Sequence, residues 1–206
     1  MAKPNRKKRG TMRKILIATN NPHKLQEIRA ILGTDEFEIV SPADLSIHLE
    51  VEENGNDYQE NALIKARAYR EFSDYLIIAD DSGLEIAAWD NQPGVHSARF
   101  LSEAKNYYEK NQIILQRMRD VENREAVVVS VAALLLPDGE EIVFTGRVYG
   151  TIAFKQNGEQ GFGYDPLFCL ADGRCMAELS AEEKNRISHR ALAFRQIKEY
   201  LQNHEN

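Results

Sequence analysis

Short apolar runs alternate along the chain with longer segments whose apolar residues recur every three or four positions. That rhythm predicts strands alternating with helices, the pattern of an α/β domain. Lys14-Ile15-Leu16-Ile17-Ala18-Thr19 reads as a first strand. Leu25, Ile28, Ile31 and Leu32 follow at helical spacing, with Asn21 suited to cap the helix and Pro22 to its first position. Phe37 to Val40 predicts a second strand, and a helix is expected from about Asp57, with Tyr58, Ala62, Ile64, Ala66 and Tyr69. Tyr75 to Ala79 is short, β-branched and apolar on both faces, the pattern of a buried strand. This strand is expected to end at Asp80-Asp81-Ser82-Gly83, with Leu84 to Ala88 as a separate short strand and Asn91 to Gly94 as a turn. Glu103 to Met118 predicts a helix. Ala126 to Leu136 and Glu141 to Ala153 flank Pro137-Asp138-Gly139 as a long hairpin. Ser180 and Glu183 form a capping box that opens a C-terminal helical region, continuing through Leu192, Phe194, Ile197 and Leu201. Strands this long call for a sheet that mixes parallel and antiparallel pairs.

Chemistry-bearing residues gather where these elements meet. Adjacent side chains on an extended strand face opposite ways, so Asp80 and Asp81 are expected to do different jobs. With Ser82 and Gly83 they either hold Mg²⁺, a hard cation that takes oxygen ligands, or form an ordinary turn. Thr19-Asn20-Asn21-Pro22-His23-Lys24 joins a strand to a helix start, where free N–H groups and the Lys24 charge suit an anion. The Gly-rich spacing of a Walker loop is missing, and a well-capped helix is the plainer alternative. The acidic stretch Glu50 to Asp57 is either a solvated face or a source of a metal ligand, Glu52 or Glu53. Lys65 is a surface charge or a phosphate contact. In Gly161-Phe162-Gly163-Tyr164-Asp165-Pro166, the aromatics can stack on a planar base and Asp165 can accept hydrogen bonds. Lys184, His189 and Arg190 place positive donors near a helix start.

Composition narrows the classes. At 206 residues, 43% hydrophobic and 28% charged, the chain fits one globular domain. No run of about 18 apolar residues predicts a membrane span, and the basic start lacks the apolar region of a secretory signal. Cys169 and Cys175 are expected as thiols in a reducing compartment rather than as a disulfide, and no spacing of a zinc site occurs. Net charge is −6, but the first 14 residues hold seven Lys or Arg and no acid, which leaves −13 for the rest. Residues 1–12 read as a basic, disordered tail, or else as a non-specific nucleic-acid attractor.

Taken together, the motifs resemble the non-standard purine nucleoside triphosphate pyrophosphatases, the inosine triphosphatases. The resemblance runs from Lys14 to about Leu201. It rests on Thr19-x-Asn21-x-x-Lys24, Glu60-Asn61-Ala62-x-x-Lys65, Asp80-Asp81-Ser82-Gly83-Leu84, Pro93-Gly94-x-x-Ser97-Ala98-Arg99, Gly161-Phe162-Gly163-Tyr164-Asp165-Pro166, and Glu183-Lys184 leading to Ser188-His189-Arg190. Each is modest alone, and six in one order are specific. The basic tail has no counterpart in the family's core.

The resemblance implies an α/β fold, an elongated mixed β-sheet flanked by helices in one domain (13–206) of two lobes with a central cleft. It implies hydrolysis of ITP, dITP and XTP to the monophosphate and pyrophosphate, Mg²⁺ as cofactor, a cytoplasmic homodimer, and neither membrane nor specific nucleic acid as partner. Carried over residue by residue, Thr19, Asn21 and Lys24 line the triphosphate site; Asn20, Pro22 and His23, variable slots of the same loop outside the motif letters, are expected to bind substrate beside them. Asp81 matches the catalytic general base and a metal ligand, and Glu52 the other metal carboxylate. Lys65 matches a phosphate-side lysine and Ser82 a substrate contact. Phe162, Gly163, Tyr164, Asp165, Lys184, His189 and Arg190 match the nucleotide pocket. Two other readings stay open: a pyrophosphatase of the septum-inhibitor (Maf-like) type, and a non-catalytic nucleotide-binding module.

Overall fold

The computed structural model describes residues 12–204. The predicted basic tail therefore lies, except for Met12, outside the described residues. Strand β1 (Arg13–Ile17) feeds helix α1 (Pro22–Leu32), and strand β2 (Phe37–Val40) returns parallel to β1. Helix α2 (Tyr58–Arg70) leads into strand β3 (Leu76–Ile86), which lies parallel on the other side of β1. The two-residue strand β4 (Gln92–Pro93) pairs back on the end of β3, and helix α3 (Tyr107–Arg117) follows. Strands β5 (Glu125–Leu135) and β6 (Glu141–Ile152) form the long hairpin, and β7 (Phe168–Cys169) pairs with the end of β6. Helices α4 (Ala181–Ile187) and α5 (His189–Asn203) complete the chain. The sheet order is β2-β1-β3-β5-β6-β7, parallel on the β2-β1-β3 side and antiparallel beyond it. The expected mixed α/β sheet with flanking helices is thus what forms.

Strand alternation sorts the core. Ile15, Ile17 and Ile78 face one way and pack with Ile28 and Leu32 of α1 and Phe194 and Ile197 of α5. Leu16, Ile77 and Ala79 face the other way, onto Ala62, Ala66 and Tyr69 of α2. Farther along the same strands, Leu84, Ile86, Ala126 and Val128 join Ile114 and Met118 of α3 and Leu167, Phe168 and Met176 in a separate core. Strands β3, β5 and β6 run through both bodies, and a cleft lies between them.

Four expectations change. The tetrad Asp80 to Gly83 does not end a strand, because β5 pairs with β3 without a break from Ile77↔Leu135 to Ile86↔Ala126. The polar residues therefore sit in mid-ladder, with side chains fixed by the sheet rather than by a loop. Helix α3 starts at Tyr107, where Asn106 accepts from the Glu109 N–H at 2.9 Å, and not at Glu103. The C-terminal helix breaks at Ser188, which is extended (ψ 157°) and whose Oγ caps α5 by accepting from Ala191 N–H. Cys169 and Cys175, expected as thiols, face each other across an isolated antiparallel bridge and are joined as a disulfide.

Candidate active site

Between the two bodies lies a cavity of about 520 Å³. One wall is the end of β1 and the start of α1. Thr19, Asn20, Asn21 and Lys24 line it. Asn21 caps α1, its Oδ1 accepting from the N–H groups of His23 (2.9 Å) and Lys24 (3.3 Å). The helix start thus presents its positive end and a lysine to one spot.

The floor is the middle of β3, and its two aspartates do face opposite ways. Asp80, fully buried, accepts from Arg190 Nε at 3.2 Å and Nη2 at 3.1 Å, with Lys24 Nζ at 3.4 Å. Burial alone would raise its pKa, but Lys24 and Arg190 prevail and hold the carboxyl well below the usual range. Asp81 turns toward α2. Asn61 Nδ2 donates to it at 3.1 Å and the Ser82 N–H at 2.9 Å. Here burial prevails over Lys65, Glu53 adds like-charge repulsion, and the Asp81 pKa is pushed up to about 6. Neighbouring residues of one type thus have opposite electrostatics because the strand aims them at different helices.

Lys65, on α2, bridges the Asp80 carbonyl and Glu53 Oε1, both at 3.0 Å. Glu53, not Glu52, lines the cavity beside Asp81, while Glu52 points to solvent. The irregular segment 50–57 carries no periodicity, so the sequence alone did not separate the two. Among the described residues no three His, Cys, Asp or Glu side chains group closely enough to hold a metal by themselves.

In the opposite wall, Phe162, Gly163, Tyr164 and Asp165 of the second body stand with Lys184 of α4 and His189 at the start of α5. Asp165 accepts from the Phe162 N–H at 2.7 Å and from Lys184 at 2.5 Å. The Tyr164 hydroxyl donates to the Ser97 carbonyl at 2.7 Å, and Tyr107 meets the Tyr164 ring edge-on. His189 is packed among Arg190 and Lys184, and burial plus those cations hold its pKa well below the usual value, so it is neutral at pH 7. Its Nδ1 is buried without a hydrogen-bond partner among the described residues.

Sequence reasoning missed Glu27. Its carboxylate accepts from Lys184 at 2.7 Å and from Arg190 Nη1 at 2.6 Å. Lys24, Asp80, Arg190, Glu27, Lys184 and Asp165 therefore form one chain of alternating charge from the anion wall to the aromatic wall. The available signal was spacing: Glu27 is three residues after Lys24, on the same helix face. Of the residues singled out from the sequence, Pro22 and His23 are not part of the cavity lining, and His23 stacks on Phe162 at its margin, with centroids 5.2 Å apart.

The Ham1 family model matches residues 15–200 of this chain. The chain belongs to the Ham1 family. It is 44% identical to the dITP/XTP pyrophosphatase of a Thermoanaerobacter species over 191 residues, covering 91% of this chain and 96% of that one. It is 37% identical to the Clostridium perfringens dITP/XTP pyrophosphatase, over 92% of this chain and 98% of that one. The solved Ham1 protein of Staphylococcus aureus superposes with a TM-score of 0.83 at 36% identity, covering 94% of this chain and all of that one. The Ham1 protein of Coxiella burnetii gives 0.84 at 35%, over 93% of this chain and all of that one. The Ham1 fold thus carries all the walls of the cleft, which lie within the matched residues. Among the described residues no helix is long and apolar enough to cross a membrane.

Proposed function

We propose that this protein hydrolyses dITP, ITP and XTP to the nucleoside monophosphate and pyrophosphate. The observation that carries the reading is a single cavity. It sets Asp81 and Glu53 beside Lys24 and Lys65, and faces them with the Phe162–Asp165 aromatic wall. Relatives at this identity named dITP/XTP pyrophosphatases support the same substrate class. Mg²⁺ as cofactor, a homodimeric assembly and a cytoplasmic location belong to the same reading.

The donor set fits Mg²⁺. The ion typically takes one or two carboxylates and fills its remaining positions with water and substrate phosphates. Glu53 and Asp81 are such a pair, and in the absence of a cation they repel, which is part of why Asp81 holds its proton so high. When bound, Mg²⁺ neutralises charge on the phosphate oxygens.

The chain's own groups do the rest. Lys24, Lys65 and the start of α1 hold the phosphates. Asp81, ionised above about pH 6 yet more basic than an exposed carboxylate, accepts the proton of the water that attacks the α-phosphorus. The new P–O bond forms as the bond from that phosphorus to the bridging oxygen breaks, and pyrophosphate departs. Lys184 has three N–H donors, of which Glu27 and Asp165 take two. The third suits a 6-keto oxygen, and a 6-amino group would leave it unpaired, at about 1–3 kcal/mol in a buried site.

Measuring pyrophosphate release from dITP, ITP, XTP, dGTP, dATP and UTP, with and without Mg²⁺, tests the reading. Selective, Mg²⁺-dependent release from the first three is expected. Release of orthophosphate, or equal turnover of UTP, would overturn it.

A further inference from the structure

Asn61 is 1% exposed, and both ends of its amide are engaged. Its Oδ1 accepts from the Gly55 N–H at 2.8 Å, and its Nδ2 donates to Asp81 Oδ2 at 3.1 Å. A backbone N–H can only donate and a carboxylate can only accept, so these partners allow one orientation of the amide. Gly55 belongs to the segment that carries Glu53. The fit there is close: a Cβ at position 55 would lie 2.6 Å from the Glu60 Cβ and 2.8 Å from Asn61 Oδ1. One turn farther along the same face of α2, Lys65 takes the Glu53 carboxylate itself.

We propose that Asn61 is a positioning residue that sets the separation of the Glu53 and Asp81 carboxylates, tying the Glu53 segment to the strand through one amide. The inference rests on the reading that these two carboxylates hold a divalent cation. Helix α2 then acts as a template: Asn61 fixes the backbone of the acidic segment and one oxygen of Asp81, and Lys65 fixes the Glu53 head. Ser82 N–H holds the other Asp81 oxygen, so neither carboxylate is free to swing. Such partners of metal ligands typically contribute about 10–100-fold in metal affinity.

Three proteins are compared: the wild type, Asn61→Leu, which keeps the side-chain shape and removes both hydrogen bonds, and Gly55→Ala, which separates the segment and leaves the Asn61–Asp81 bond in place. Mn²⁺ is titrated without nucleotide and again with inorganic pyrophosphate, and the free ion is read by its EPR signal. Thermal melts of the metal-free proteins read folding separately. The expected result is Mn²⁺ affinity lower by about 10–100-fold in Asn61→Leu and by a smaller factor in Gly55→Ala, with both still folded. If Asn61→Leu fails to fold, Gly55→Ala decides. Variants that fold and bind Mn²⁺ as the wild type does would overturn the positioning role alone. A wild type that binds no Mn²⁺ under either condition would overturn the metal reading, and the inference with it.

Discussion

Asp80 and Asp81 show how far a strand's two faces can separate residues of one kind. Asp80 is locked by Arg190 and Lys24 and stays charged across the working pH range. Asp81 shares its surroundings with Glu53 and is the group that titrates, at about 6. A general base works deprotonated. The kcat/KM profile should therefore be flat above about pH 6 and fall about tenfold per unit below it, as Asp81 takes up its proton. Saturating Mg²⁺ should move that limb to lower pH, since a dication beside the carboxylate favours its charged form. Asp81→Asn should lose about 10²–10⁴ in kcat, the usual share of a positioned base, and about 1–3 kcal/mol of stability, because both Asp81 oxygens accept N–H donors and the amide NH2 must face one of them. A variant that kept near-full kcat would remove Asp81 from the base role. At this scale the sequence was informative about residue type and less so about aim. Asp81, Lys65 and the Phe162–Asp165 stretch all reached the cleft. Glu53 and Glu52 were not separable, because an irregular segment has no alternation to say which side chain turns inward.

Elements place these residues, and the element least legible in the sequence was β3. An acid-acid-Ser-Gly tetrad has the composition of a turn, and only the unbroken pairing with β5 keeps it extended. That long-range partner outweighs the local preference, and it puts the Asp81 carboxylate on a rigid strand. The break between α4 and α5 was hidden for a related reason. Helical spacing continues on both sides of Ser188, while the serine serves as a cap for the second helix. The break brings Lys184 and Arg190 together on Glu27. Helix α5 in turn rests directly on the backbone of β6 at Gly146. A Cβ there would overlap the His189 carbonyl oxygen and lie 2.8 Å from Ala193 N. Gly146→Ala should therefore push out the first turn of α5, with His189 and Arg190. The expected cost is about 1–3 kcal/mol in urea unfolding. The nucleotide side should suffer more, with kcat/KM for dITP down by as much as about 10²-fold, as small misplacements of site groups commonly cause. Equal kcat/KM in the two proteins would show that α5 is not held by this contact.

At the scale of the molecule, two core bodies share three strands. Ile77 and Ile78 of β3 lie in the cores beneath α2 and α5, and Leu84 and Ile86 of the same strand lie in the core beside α3. Strand β5 does the same, from Leu134 to Ala126, and β6 stays paired with it along its whole length. The charge chain from Lys24 to Asp165 adds a second link across the cleft. Melting either body would leave half of the β3–β5–β6 ladder without its packing, so separate unfolding of the two is disfavoured. The chain offers a local probe for this. Its one tryptophan, Trp89, packs against the second core and near Phe100, at 6.2 Å between ring centroids. Its fluorescence reports that body alone, whereas far-UV circular dichroism weights all the helices, three of which (α1, α2 and α5) belong to the first body. The two signals should trace one coincident urea transition, with the same midpoint and the same slope. A tryptophan transition at lower urea would mean that the shared strands do not couple the bodies, and that the aromatic wall can loosen while the wall at the start of α1 stays folded. Since Glu27 is the carboxylate that joins Lys184 and Arg190 within that charge chain, Glu27→Gln should be the substitution that most readily splits a single transition into two.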